Sequence, residues 1–229
     1  MDTDKIILGL SMLDAKYNAL MQELIDTYHF DGIRDVRVNM VKHPRIVIDS
    51  TLVFFLIRQD NLFRPEWWER MINLNLISKN FTEEHRKTFA RAFDSYTDSA
   101  YITMLLFGIE SGFKSLYLSV FGEDPPLNFS KVYPKLLQRF GLNQFNDLLR
   151  LSSNIRNSLH NNGLFTWPDE SITWRGKKYE FKRGQSLVFD PWETFIIITD
   201  DIFNMLQKLI KEQEIIEKPQ IVDASYNNI

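Results

Sequence analysis

Apolar residues recur at Ile6, Leu10, Leu13, Tyr17, Leu20, Leu24 and Tyr28, in steps of three and four. That spacing predicts a long amphipathic helix over residues 2–28. Between 30 and 49 the pattern changes: Val36, Val38 and Met40 alternate, Gly32 and Pro44 interrupt, and Arg34, Arg37, Lys42 and Arg45 add charge. This stretch is expected to be a connector with a short strand. Helices are expected over 50–59 and over 65–79, the second opening on Pro65 as a first-turn proline.

Thr82 before Glu83 and Glu84 starts a further helix, with acids where the macrodipole favours them. The helical pattern then runs to Gly122, with a break expected near 96–99. In its second half Ile102, Leu105, Leu106, Ile109, Phe113, Leu116, Tyr117 and Val120 form one stripe, while Tyr101, Met104 and Phe107 lie outside it. A helix apolar nearly all round is the central one of a bundle. Pro125 and Pro126 stop it, and helices over 130–140 and 143–160 follow, the latter leaving through Asn161, Asn162 and Gly163. Alternation at Ile172, Trp174, Tyr179 and Phe181 around Arg175-Gly176-Lys177 reads as a β-hairpin. Asp190, Pro191 and Glu193 open the last helix in capping-box spacing, which buries Phe195, Ile198, Ile202, Leu206 and Leu209.

The expected class is therefore all-α, an antiparallel helical bundle with an N-terminal helical extension and a small β-hairpin insert before the last helix. The expected organisation is an extension over 1–80 packed on a bundle over 81–217, a hairpin at about 171–183, and a flexible tail over 218–229. At 44% apolar and 25% charged the chain has ordinary globular composition, and nine glycines and eight prolines disfavour turn-rich β folds. The acidic start and the interruption of the apolar run over 101–121 by Glu110 and Lys114 are read as a cytoplasmic protein with no membrane partner.

Candidate chemistry narrows by subtraction. With no cysteine there is no thiolate metal site and no cysteine nucleophile. The glycines form neither a dinucleotide fingerprint nor a phosphate loop, and no serine sits in a nucleophile elbow. His29, His43, His85 and His160 are scattered, so neither metal nor another cofactor is expected. Glu83/Glu84 and Asp200/Asp201 sit at helix starts or on solvent faces.

One segment stands apart. At 100° per residue, Leu148, Leu149, Ser152, Ile155 and Leu159 of the 143–160 helix share an arc of about 120°. Arg156 falls inside that arc, and His160, one turn away, lies about 40° further on than Arg156, at the edge of the arc. An arginine turned into an apolar face needs a partner. Glu110, at the flank of the central helix, is the candidate, with Lys114 one turn on; Glu110 and Lys114 pairing only with each other is the alternative. Equally, Arg156 could bridge structurally to an acid and His160 could interact with the last carbonyls of its helix.

The string from Ile155 through Arg156, Asn157, Ser158, Leu159, His160, Asn161 and Asn162 to Gly163 resembles the arginine-asparagine…histidine box of HEPN domains, with a spacing one residue shorter than the family pattern. The layout of helices over about 80–215 is similar too. The resemblance implies an α-helical bundle acting as a homodimer. It further implies metal-independent RNA cleavage through the ribose 2′-hydroxyl, in an effector of bacterial defence or toxin type, with an antitoxin or defence-system protein as a further partner. His160 would be the general acid or base, Arg156 the phosphate ligand, Asn157 an orienting group, and Glu110 the partner of Arg156. The alternatives are a non-catalytic HEPN-like module that binds RNA, a nucleotide or a protein, and a helical interaction protein in which Arg156 is structural.

The hairpin adds Arg175, Lys177, Lys178, Lys182 and Arg183 among Trp174, Tyr179 and Phe181, against one acid, Glu180. Cations interleaved with aromatics suit single-stranded RNA. The competing and favoured reading for the aromatics is a hairpin that packs Trp174 and Phe181 on the bundle while its lysines are solvated.

Overall fold

In the computed structural model, which describes residues 2–62, 64–161 and 163–223, the amphipathic stripe of the first helix is the first wall of the core. Helix α1 spans Thr3–Asp26 and buries Ile6, Leu10, Leu13, Tyr17, Leu20 and Leu24. Tyr28, expected on the same stripe, lies beyond the helix end and is exposed, because the backbone turns at His29 with φ 56°.

The connector expected over 30–49 is instead most of α2, Val36–Ile57, and no strand forms there. Every residue from Val36 to Val41 is buried, Arg37 and Asn39 included, so the segment has no polar face from which a helical period could be read. Pro44 stands inside this helix, leaving the Met40 carbonyl without an intrahelical donor. On α4, Glu83–Phe121, Gly108 and Gly112 let α2 approach closely. A methyl group at Gly108 would lie 2.1 Å from the His43 ring, and one at Gly112 would lie 2.1 Å from Met40.

A single-turn π-helix, Arg58–Leu62, leads toward α3, Pro65–Asn73, which stops short of the expected 79. The expected break in α4 near 96–99 is absent; Thr97 returns its hydroxyl to the Phe93 carbonyl (2.9 Å), and the helix runs on without interruption. Thr82 and His85 cap it reciprocally, and Gly122, at φ 68°, ends it in the left-handed conformation. Helix α5 is Phe129–Arg139, and α6, Asn146–His160, follows a 3₁₀ turn over Asn143–Phe145. The hairpin forms as expected: β1 Glu170–Trp174 pairs antiparallel with β2 Lys177–Phe181, Ile172 opposite Tyr179. Helix α7, Pro191–Ile210, is capped by Asp190 accepting from the Glu193 amide, and buries the five residues its pattern selected. A short α8, Gln213–Ile216, follows, so the hairpin precedes the penultimate helix.

The fold is thus all-α with one two-stranded sheet, and its helices are not all antiparallel. Arg45 on Asp14 with Phe55 near Thr3 and Ile6, Met40 and His43 on Gly112 and Gly108, and Arg156 and His160 on Glu110 and Thr103 run α1/α2, α2/α4 and α4/α6 in opposite directions. Gly9 against Ile196, Tyr17 on the Thr199 carbonyl (3.0 Å) and Lys211 on Glu23 run α7 parallel to α1. One cluster of buried side chains takes in α1, α2, α4, α5, α6, α7 and the hairpin, so α1 and α2 are walls of the common core. Within it Thr199 gives its hydroxyl to the Phe195 carbonyl, so Tyr101 must be the donor in its 2.8 Å bond to Thr199.

The flexible tail expected from 218 is corrected as far as 223. The Val36 amide, one of the orphan donors at the start of α2, bonds the Ile221 carbonyl at 2.8 Å. The Asp223 amide bonds the Arg34 carbonyl at 3.1 Å, Asn39 donates to the Asp223 carboxylate at 3.2 Å, and Ile221 is buried. The remainder of the expected tail, 224–229, lies outside the described residues.

Burial pushes the Asp98 carboxyl up to about 6, reinforced by the nearby charges of Asp94 and Asp190 and opposed by a hydrogen bond from Trp192. An acid with a raised folded pKa binds its proton more tightly folded than unfolded, so its contribution is fully present below about pH 4 and is lost as pH rises toward about 6. Asp98→Asn keeps an acceptor for Trp192 and abolishes the titration. It should gain on the natural chain by about 2 kcal/mol between pH 4 and pH 7. Urea midpoints of the two proteins across that window check this; a difference that does not vary with pH would contradict it.

Candidate functional site

Helix α6 crosses α4 so that the box residues face it. The Arg156 guanidinium Nη1 lies 3.5 Å from Glu110 Oε2, and its Nε donates to Asn157 Oδ1 at 3.3 Å. Lys114 donates to the other Glu110 oxygen at 2.7 Å, so Glu110 holds both cations, and the two expected pairings coexist. One turn further along α6, His160 Nε2 is 3.0 Å from Thr103 Oγ1, and its ring is exposed. Asn161 ties the helix end by donating to the Asn157 carbonyl at 2.7 Å. Gly163, at φ 84°, completes the exit by donating its amide to the Ser158 carbonyl at 2.9 Å. Asn162 of the box lies outside the described residues.

Arg156 is not enclosed by its apolar arc. Leu151 and Ser158, off that arc, are buried as well, because the hairpin covers a second flank of α6. Asn154 and Arg150 both reach Glu170 at the start of β1, at 2.6 and 3.1 Å. The buried face is thereby rotated and Arg156, 23% exposed, is left at the rim, where a solute can reach its free donors.

Sequence reasoning selected Glu110 and Lys114 but not Thr103, Phe107 or His43, which complete this rim. Thr103, Phe107, Glu110 and Lys114 fall on one stripe of α4. Phe107 is 62% exposed there despite its size. Across it stands His43 of α2, ring centroids 6.2 Å apart. His43 Nε2 is 2.8 Å from the Met104 carbonyl, which can only accept, so this nitrogen carries the proton. Lys42, His43, Phe107, Ser111 and Asp223 line a cleft of about 130 Å³ beside the stripe. The signal in the sequence was Gly108, whose lack of a side chain admits the His43 ring.

The hairpin cations stand elsewhere. Glu170 meets α6 at Asn154, about 160° around the helix from Arg156. Arg175, at the tip, clasps Asp201 of α7 with two bonds of 2.9 and 2.6 Å and lines a cleft with Lys16 of α1. Lys178 pairs with Glu180 at 2.7 Å, Lys182 approaches the same carboxylate at 3.8 Å, and the Lys177 ammonium sits 5.2 Å over the Tyr179 ring. The backbone amide of Arg183 donates to Asp169. Trp174 and Phe181 pack into the core. Neither the hairpin's cations nor its large aromatics join the Arg156/His160 rim.

No family model matches the chain, and no curated protein or solved structure is significantly similar to it.

Proposed function

We propose that the α4–α6 rim is a single-stranded RNA site of HEPN type, acting in a homodimer, that cleaves RNA without a metal ion in the manner of a toxin or defence effector. The observation that carries the reading is the placement of Arg156 and His160 on one accessible edge of α6, one turn apart, with Glu110 behind the guanidinium. Arg156 offers a planar fork to a phosphate, and Glu110 and Asn157 hold that fork in place. His160 is tethered to Thr103 through Nε2, and its Nδ1, without a partner among the described residues, can exchange a proton with the ribose hydroxyl or the leaving oxygen. Phe107 supplies an exposed ring on which a base can stack.

A second reading, a non-catalytic module that binds RNA, a nucleotide or a protein, is favoured by one detail: the Glu110 carboxylate already neutralises Arg156 and Lys114 where a phosphate would approach. Incubation with a labelled single-stranded RNA in EDTA separates the two. The enzyme reading expects cleavage that survives chelation and leaves 2′,3′-cyclic phosphate ends. Cleavage abolished by EDTA overturns it, binding without cleavage transfers the site to the second reading, and an RNA that neither binds nor is cut removes both.

A further inference from the structure

A second cluster of cations, unrelated to the α6 box, surrounds a cavity of about 280 Å³ between the end of α2, α3 and the first turns of α4. Arg58, Arg86, Lys87 and Arg91 line it against two carboxylates, Glu83 and Asp94, an excess of two positive charges. The carboxylates are already engaged. Asp94 takes Arg58 through two bonds of 2.5 and 2.8 Å, and Glu83 lies 3.5 Å from Arg86 Nη1.

Arg86 is the anomaly. Its Nε is buried and has no hydrogen-bond partner among the described residues. A buried donor without an acceptor is costly, and guanidinium donors are rarely left so. With Glu83 on Nη1, the free edge is the Nε side of the fork, which matches two oxygens of a tetrahedral anion. Lys87, on the next residue, and Arg91, one turn further on, are exposed cations with no ion pair among the described residues. The floor is rigid: Trp68 is buried, donates its indole N–H to the Leu62 carbonyl at 2.9 Å, and stacks on Phe81. Phe81 thus covers one face of Trp68, the only aromatic side chain that lines the cavity among the described residues.

We propose that this cavity binds an oligophosphate, either inorganic pyrophosphate or the phosphate tail of a nucleotide, with Arg86 as its central ligand and Lys87 and Arg91 neutralising the added charge. A guanidinium fork with two flanking cations in a concave, partly apolar setting raises the local concentration of multivalent anions above that of monovalent ones.

The test is calorimetric titration of the full chain with orthophosphate, pyrophosphate and ATP. Pyrophosphate should bind, and orthophosphate should bind at least about tenfold more weakly because it carries less charge to neutralise. ATP as tight as pyrophosphate marks the phosphate tail as the whole determinant; ATP much tighter adds a nucleoside contact to the same site. R86Q/K87Q/R91Q should weaken binding at least about tenfold, the worth of one charge-assisted pair. K87Q/R91Q, which leaves the half-buried Arg86 in place, should show part of that loss and guards against a triple variant that fails to fold. Binding lost in R86Q/K87Q/R91Q assigns pyrophosphate to this cavity, whereas binding kept by that variant and lost in Arg156→Ala would assign it to the α6 rim and overturn the proposal. No pyrophosphate binding by the natural chain, equal binding by the folded double and triple variants, or RNA binding that alone depends on these cations would overturn the proposal.

Discussion

Arg37→Ala should lower the stability of this protein by about 3–5 kcal/mol, the usual cost of leaving one member of a buried ion pair alone. Arg37 is 0% exposed and Asp35 1%. The guanidinium grips the Asp35 carboxylate through two bonds of 2.8 and 2.5 Å. Its third nitrogen donates to the carbonyls of Ile215 and Lys218, at 2.9 and 2.7 Å, and its plane lies 3.5 Å over the Phe30 ring. Deleting it strands a buried carboxylate and removes the donor from carbonyls that close α8 and the C-terminal segment onto α2. Total stability for a domain is about 5–15 kcal/mol, so the loss is a large share and should lower the melting temperature by about 10 °C. Because the pair is buried, salt should change the effect little. Arg37→Lys should fail to rescue, since an ammonium cannot span both carboxylate oxygens and two carbonyls. Urea unfolding of both variants gives the answer; a loss under about 1 kcal/mol for Arg37→Ala would show that the clamp is incidental.

Arg37 also shows where the sequence was legible and where it was not. α1, α7 and the hairpin each present one face to the core, so their period appears in the chain itself, as does the main face of α6, and Asp190 and Thr82 mark real starts. α2 presents no polar face over 36–41, because α1, α4 and the C-terminal segment cover it, and alternation among its valines mimics a strand. Arg37 among them reads as a solvent charge: Asp35 stands two positions away, but the carbonyls that complete its surroundings are those of Ile215 and Lys218, 178 and 181 positions away. At the rim the same division holds. Glu110 was legible as a partner for Arg156 because each position follows from the geometry of its own helix. Thr103 beside His160, and His43 beside Phe107, depend on how close α6 and α2 come to α4, which no period records; for α2 the glycines at 108 and 112 decide it. The hairpin's lysines were legible as exposed, but their distance from the rim follows from the flank of α6 on which β1 docks.

The largest functional effect belongs to His160. On the proposed chemistry His160→Ala should reduce RNA cleavage by about 10²–10⁴-fold, the worth of a positioned acid–base group. The fold should survive, because the ring is exposed and its bond to Thr103 is at the surface. RNA affinity should change far less, since Arg156 and the Phe107 ring remain. Thr103→Val separates positioning from chemistry: it frees the ring without removing it and should cost only about tenfold, for misorientation of an intact base. Arg156→Ala should weaken binding and cleavage together, whereas Arg156→Lys keeps the charge, loses the fork and should recover binding better than turnover. Single-turnover cleavage and RNA binding, measured on all four variants beside their urea midpoints, distinguish these effects. Undiminished cleavage by folded His160→Ala would remove His160 from the reaction, and a parallel loss of folding and cleavage in every variant would make the Arg156–Glu110 contact a structural one.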